Sequence, residues 1–139
     1  MLDRNFESLI FNFMEMVCND LNVEMPGVGV DKSIMNTNTT MAVFLPATGD
    51  IFLNPDYCVM EALHLMYFSV AHELRHKWQR DKGENFINYK KSSDISLKDY
   101  NNQALEKDAN TYAINYLDKY FFGWDIYGIH DKLKKMGAL

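Results

Sequence analysis

A short pattern of two histidines and a glutamate, H-E-x-x-H, constrains this chain more than any other feature. It occupies residues 72–76, inside a run with helical character. Residues four apart are neighbours on one face of a helix, so His72 and His76 can bind a single metal ion. Glu73 lies about 100° further round the helix, where its carboxylate can reach a water on the metal without binding the metal itself. The pattern therefore predicts a zinc site, with Glu73 as the general base beside it.

The length and composition of the chain favour one folded domain spanning residues 1–139. Apolar residues make up 47% of the chain, which is typical of a globular protein, and the net charge of −5 argues against nucleic acid as the main ligand. The longest apolar run, residues 59–71, contains Glu61 and His64 and is too short to span a bilayer, so we expect no membrane partner. Cys18 and Cys58 lie far apart with no signal peptide before them. We therefore expect both to be reduced and buried in a cytoplasmic protein.

Hydrophobic periodicity predicts helices at both ends of a small sheet. Apolar residues recur at three- and four-residue spacing over residues 2–22, which indicates an N-terminal helix. Residues 28–35 are a weak strand candidate, residues 39–45 a clear one, and residues 50–53 return after a turn as the second arm of a hairpin. The expected fold class is α+β, with a small twisted antiparallel or mixed sheet packed against the motif helix and further helices.

The motif helix has start and stop signals. Asn54 can cap a helix that continues with Pro55, and Gly83 is a typical stop signal after a last helical residue near Asp81. His72 and His76 fall on a face that can line a cleft. A separate apolar stripe would bury this helix against the sheet, and it consists of Val59, Leu63, Tyr67, Val70 and Leu74.

A second long helix is predicted after a polar segment. Residues 84–98 are expected to form a loop or a lid over the cleft. Ser96 and Asp99 are spaced like a capping box, which predicts a helix from there to about Phe121. Gly123 ends this helix, and Asp125 can cap a last short one through Lys135. One side of the second helix is expected to contain Leu105, Ala109, Tyr112, Tyr116 and Tyr120.

The second helix can supply the third zinc ligand that two histidines leave open. Glu106 and Asp108 are the candidates, and they point about 200° apart around the helix. Glu106 is favoured because its side chain is longer, while Asp108 remains the alternative. Asn110 lies one turn after Glu106 on the same face and can hydrogen-bond a ligand from behind.

The two segments together resemble the ImmA/IrrE-type metallopeptidases, which are zincins with a glutamate as third ligand. Residues 105–113 read L-E-K-D-A-N-T-Y-A, against a family pattern of approximately E-x-x-A-N-x-F-A. The resemblance covers about residues 40–117. It implies a zincin-like fold in which His72, His76 and Glu106 hold Zn²⁺ and Glu73 is the catalytic residue.

This chain departs from the ImmA/IrrE-type pattern at one position and has a second, weaker resemblance to another family. The ImmA/IrrE-type family commonly has glycine where this chain has Arg75, which places a long cation beside the ligands. Residues 76–79, H-K-W-Q, show a weaker similarity to SprT-like zinc proteases, which take a third histidine from downstream. The downstream histidine here is His130, in a segment unlike theirs.

The expected activity is zinc-dependent hydrolysis of peptide bonds in a protein or peptide substrate, bound extended along a sheet edge. A further donor is expected to stabilise the oxyanion, and the candidates are Arg75, Tyr89, Tyr112 and His130. The resemblance implies cleavage of a regulatory protein in a phage or mobile-element setting. The alternative is a catalytically inactive zinc-binding module with a regulatory or protein-interaction role.

Overall fold

A computed structural model describes residues 2–84, 95–96, 99–100 and 103–139 of the chain. Helices and strands within these residues form an α+β arrangement, as the sequence predicts. The strands are β1 (Val28–Val30), β2 (Ala42–Leu45) and β3 (Asp50–Leu53). The α-helices of the described residues are α1 (Arg4–Leu21), α2 (Leu63–Asp81), α3 (Ala104–Tyr120) and α4 (Ile129–Lys135).

The sheet is mixed and small. Its strand order is β1-β3-β2, with β2 antiparallel and β1 parallel to the central β3. The hairpin prediction is confirmed, and Ala42 pairs with Leu53 at its open end. The predicted start of β2 at Thr39 is wrong, because the hydroxyls of Thr37 and Thr40 lie 2.9 Å apart and close a turn there. β2 lies at an edge of the sheet in the part of the chain that the structure describes.

β1 is shorter than the strand candidate over residues 28–35. The strand ends at Val30, and Asp31 then caps a short 3-10 helix, Lys32–Ile34, by accepting the Ser33 N–H at 2.9 Å. An aspartate side chain that binds a backbone N–H two residues on favours a turn over a ladder. The local hydrogen bond therefore stops the strand.

α2 carries the H-E-x-x-H pattern, but it starts later than predicted. Asn54 does cap a helical turn, since its side chain accepts the Asp56 N–H at 3.0 Å, yet that turn is a 3-10 helix of only Pro55–Tyr57. Val59 is extended, with φ −131° and ψ 152°, and the α-helix begins at Leu63. Val59 is also 42% exposed, so its assignment to the buried stripe is wrong. The predicted end is confirmed, because α2 stops at Asp81 and Gly83 follows with φ +91°.

α2 is the central element of the core. Tyr67, Val70 and Leu74 are buried as predicted. α1 covers one side of α2, where the Phe13 ring stacks on Tyr67 at 4.3 Å between centroids. α3 packs on another side and β2 on a third. This packing fixes the orientation of the motif helix, and thus the face that presents the histidines.

α3 buries only part of the predicted apolar side, namely Ala109 and Tyr116. Its buried residues include Glu106 and Asn110, while Tyr120 is 48% exposed and Leu105 is only partly buried. Glu106 and Asn110 share a face as predicted, and that face contacts His72 and His76 of α2. The predicted cap is present, because Ser96 Oγ accepts the Asp99 N–H at 3.2 Å and residues 99–100 are helical. The predicted continuous helix is wrong, because Gln103 is not helical and α3 begins at Ala104.

The last helix begins beside a capping aspartate, and neither cysteine forms a disulfide. Asp125 caps α4 as predicted, and its Oδ1 accepts the Ile129 N–H at 2.6 Å. Cys18 and Cys58 are buried and unpaired thiols. The predicted loop or lid over residues 84–98 lies almost entirely outside the described residues. Among the described helices, none has the length and apolar content needed to cross a membrane.

Candidate metal centre

The two histidines of the motif face each other across one turn of α2. The Nε2 atoms of His72 and His76 lie 3.1 Å apart, and the rings are nearly perpendicular at 83°. His76 is buried and His72 is nearly so. The spacing of four residues therefore brings both imidazoles to one point on the side of α2 that faces α3, as the motif predicts.

Glu106 of α3 brings a carboxylate oxygen to the same point. Its Oε2 lies 2.9 Å from His72 Nε2 and 2.8 Å from His76 Nε2, and the residue is fully buried. Asp108 lies elsewhere, with its carboxylate bound by Arg75 and Gln79. Glu106 is thus the candidate third ligand that contacts the histidines, within the residues that the structure describes.

Hydrogen bonds at the Nδ1 atoms of His72 and His76 fix which ring nitrogen carries the proton. The Asn110 amide donates its N–H to Ala138 O at 3.0 Å, so its oxygen is the atom that faces His72 Nδ1 at 2.7 Å. The Gln79 amide donates to Leu105 O at 2.9 Å, so its oxygen faces His76 Nδ1 at 2.7 Å. Since an amide oxygen only accepts, both Nδ1 atoms donate. In its neutral form, each ring therefore directs its Nε2 lone pair at the other ring and at Glu106.

Convergent lone pairs of this kind suit a cation. Two imidazole nitrogens and a carboxylate oxygen within 3.1 Å of one another repel unless a positive charge lies among them. The ligand atoms of His72, Glu73 and His76 also lie within 4.8 Å of one another, so this group can hold a metal ion. Imidazole with carboxylate is a donor set that fits zinc and other transition metals.

Glu73 is held against the edge of the sheet. Its Oε1 accepts the backbone N–H of Phe44 on β2 at 2.9 Å, and its Oε2 lies 3.6 Å from His72 Nε2. One oxygen is thus anchored while the other remains beside the histidines. Burial raises the pKa of Glu73, against the opposing effect of His72 and His76, which favours a carboxyl able to take up a proton.

His72 and Glu106 hold opposite charges when no metal is present. Burial lowers the pKa of His72, but the charge and the hydrogen bond of Glu106 outweigh burial and raise it to about 9. Burial opposes ionisation of Glu106, yet His72 and His76 lower its pKa well below the ordinary range. In the metal-free protein the positive charge of His72 therefore balances the negative charge of Glu106.

Of the predicted oxyanion donors, the three that the structure describes have partners away from this centre or are exposed. Arg75 pairs with Asp108 and stacks over the Trp78 ring at 3.6 Å. The Tyr112 hydroxyl donates to Asp20 Oδ2 at 2.7 Å, on the side of α3 facing α1. His130 is exposed on α4, and Tyr89 lies outside the described residues.

Two residues of the site do not follow from the motifs. Gln79 binds His76 from three residues further along α2, a spacing that could have identified it. Tyr100 lines a cavity of about 480 Å³ together with Glu73, His76 and the strand β2. No motif signal distinguishes Tyr100 from the other tyrosines of the sequence.

No protein-family model, no curated protein and no solved structure matches the chain. The support for a function comes from the side chains of the site and from the motifs that carry them.

Proposed function

We propose that the protein is a zinc-dependent metallopeptidase. The supporting observation is the convergence of His72 Nε2, His76 Nε2 and Glu106 Oε2 within 3.1 Å of one another, with the Glu73 carboxylate beside them. Two histidines and a glutamate leave a coordination position for water or substrate, which is the arrangement of catalytic rather than structural zinc sites. The ImmA/IrrE-type resemblance points to the same ligands.

The metal and Glu73 have different roles in the proposed hydrolysis. A bound zinc ion would supply Lewis acidity to the scissile carbonyl and lower the pKa of a water at the site to about 7. Glu73 accepts the proton of that water as the water oxygen attacks the carbonyl carbon. It then donates the proton to the amine nitrogen as the C–N bond breaks. The Phe44 N–H holds Glu73 Oε1, so that Oε2 is the atom in position for the transfer.

The substrate in this proposal is an extended peptide beside β2. β2 is an edge strand among the described residues, and it lines the cavity of about 480 Å³ that Glu73 and His76 also line. An added strand gains backbone hydrogen bonds at such an edge and places alternate side chains in the cavity. The family resemblance suggests a regulatory protein in a phage or mobile-element setting as its source.

A zinc-binding module without turnover is the second candidate. One observation favours it, namely that Glu73 Oε1 already accepts a backbone N–H at 2.9 Å, so the residue also has a structural role on β2. In that case the metal would stabilise a surface for protein interaction. The two candidates differ in what Glu73 does, and not in which residues bind the metal.

Replacement of Glu73 by glutamine separates the candidates. Glutamine keeps the size of the side chain and the oxygen that accepts the Phe44 N–H, but it cannot take a proton from water. We would incubate zinc-loaded parent and Glu73→Gln with a proteome-derived peptide library and identify new peptide termini by mass spectrometry. Glu61→Gln, an exposed glutamate before α2, is the matched control.

The peptidase proposal expects cleavage by the parent and by Glu61→Gln, and loss of at least about a hundredfold in Glu73→Gln with one zinc ion retained. Cleavage at equal rates by parent and Glu73→Gln would contradict the mechanism. Stoichiometric zinc without cleavage in any variant would favour the module, and a parent without zinc would exclude both candidates.

A further inference from the structure

We propose that Arg75, Asp108 and Gln79 form a positioning network that fixes the imidazole of His76 for metal binding. The inference rests on the proposed metal site and assigns a role to the cation that departs from the family pattern. Arg75 and Gln79 lie one turn apart on α2, on a row beside that of His72 and His76. Asp108 faces this second row from α3.

Gln79 is the member that contacts the histidine. Its side chain is fully enclosed, and the amide makes three hydrogen bonds: the oxygen accepts from His76 Nδ1 at 2.7 Å, and the nitrogen donates to Leu105 O at 2.9 Å and Asp108 Oδ2 at 2.8 Å. A flipped amide would direct its N–H₂ at His76 and its oxygen at two acceptors. Two acceptors on α3 therefore set the amide orientation, and the amide sets the His76 tautomer.

Asp108 depends in turn on Arg75. Its Oδ2 accepts from both Gln79 Nε2 and Arg75 Nε at 2.8 Å, while Oδ1 accepts from Arg75 Nη2 at 3.1 Å. The Asp108 side chain is 41% exposed, so without a partner it would turn toward water and leave the Gln79 N–H. Two parallel hydrogen bonds from one guanidinium hold the carboxylate in a single orientation.

The Arg75 guanidinium itself lies close to two aromatic rings. Its central carbon lies 3.6 Å from the centre of the Trp78 ring and 5.0 Å from that of Tyr112. A planar guanidinium stacks on aromatic rings and binds a carboxylate through a fork, and a lysine ammonium does neither in this way. Arg75 thus acts on His76 through Asp108 and Gln79, and the guanidinium makes no described contact with Glu73 or Glu106.

The network also ties the two helices that supply the metal ligands. Gln79 and Arg75 belong to α2, and both bind a residue of α3 that lies two positions after Glu106. Fixing Asp108 against α2 therefore fixes the distance from Glu106 to both histidines. Loss of these hydrogen bonds would weaken zinc binding in two ways. The His76 ring would be less well oriented, and the distance from Glu106 to the histidines would vary more.

The test measures zinc affinity and the His76 ring proton in parent, Arg75→Met and Asp108→Asn. Zinc dissociation constants would come from competition with a chromophoric chelator. Lys82→Gln is the matched control, because Lys82 lies 4.5 Å over the same Trp78 ring without a described contact to Asp108. We expect roughly 10- to 100-fold weaker binding in both network variants and an unchanged constant in the control.

Histidine-selective ¹H–¹⁵N spectra give a second readout that general destabilisation would not reproduce. The Nδ1–H of His76 should exchange faster with water in Arg75→Met and Asp108→Asn, while that of His72, held by Asn110, should keep its parent rate. If Arg75→Met is too unstable for the zinc titration, Asp108→Asn supplies both readouts.

Unchanged zinc affinity together with unchanged His76 exchange in both variants would overturn the network. Equal acceleration at His72 and His76 would also overturn it, because it would indicate general loosening. A parent that binds no zinc would refute the proposed function, and the His76 exchange rates of the metal-free protein would then decide the network by themselves.

Discussion

Raising the pH should destabilise the metal-free protein, because the buried pair of His72 and Glu106 loses its positive member. Burial lowers the pKa of His72, but Glu106 outweighs burial and raises the pKa from the ordinary 6.5 to about 9. A group with a higher pKa in the folded than in the unfolded chain stabilises the fold fully below its unfolded pKa. This stabilisation is lost as the pH rises through the folded pKa. The loss is therefore expected between about pH 6.5 and about pH 9.

The pKa shift sets the size of the effect. One pKa unit corresponds to about 1.4 kcal/mol, so His72 contributes on the order of 3 kcal/mol to the free energy of unfolding at low pH. About 2 kcal/mol of this is lost between about pH 6.5 and about pH 8.5. Higher pH is best avoided, since burial raises the pKa of the Cys18 and Cys58 thiols to about 11 and adds a separate loss above their unfolded pKa of 9.0.

Urea unfolding of chelator-treated protein, followed by the fluorescence of Trp78 and Trp124, measures this free energy at each pH. Glu106→Gln is the control, because it removes the charge that raises the pKa of His72 and leaves both thiols in place. We expect a decrease of about 2 kcal/mol over this range in the parent and little change in the variant. The same pH dependence in both proteins would refute the assignment of a buried His72–Glu106 ion pair.

Three further changes test other parts of the structure. Asn110→Leu removes the acceptor of His72 Nδ1–H, and zinc affinity measured by equilibrium dialysis should fall roughly 10- to 100-fold; an unchanged affinity would contradict the role of Asn110. Leu74→Ala opens a cavity in the fully buried face of α2 and should lower the free energy of unfolding in urea by about 2–5 kcal/mol. Asn54→Ala leaves Thr40 O without its donor and the turn after β3 without its cap, and should cost about 2 kcal/mol by the same assay. A cost near zero at either position would contradict the packing described above.

Local chemistry made several elements predictable from the sequence. Asp125 binds a backbone N–H at the start of the last helix, and Gly83 adopts a positive φ just after α2. Both effects involve only residues close in sequence, and both are as predicted. The hairpin of β2 and β3 also follows from local pattern. The same local signals gave a wrong start for α2, because a capping residue such as Asn54 caps a single 3-10 turn as well as a long helix.

The site was predictable only in part. The spacing of His72 and His76 places two ring nitrogens together whatever surrounds the helix, since four residues make about one turn. The burial of Glu106 and Asn110 on α3 depends instead on the histidines of α2 that they contact. Hydrophobic periodicity does not reveal such polar contacts between helices. The Arg75–Asp108 pair could not be predicted either, because the two residues lie 33 positions apart. Each of them, taken alone, is a candidate residue of the metal site. Asn110 is held by Ala138, a contact that requires the end of the chain to return to α3.

The most direct test of the metal centre is anomalous diffraction at the zinc edge from crystals of the zinc-loaded protein. We expect one peak between α2 and α3, about 2.0–2.2 Å from His72 Nε2, His76 Nε2 and a Glu106 carboxylate oxygen. Glu73 should lie beside the ion without binding it. A peak bound by Asp108 instead of Glu106, or no peak at the two histidines, would contradict the site on which every proposal above depends.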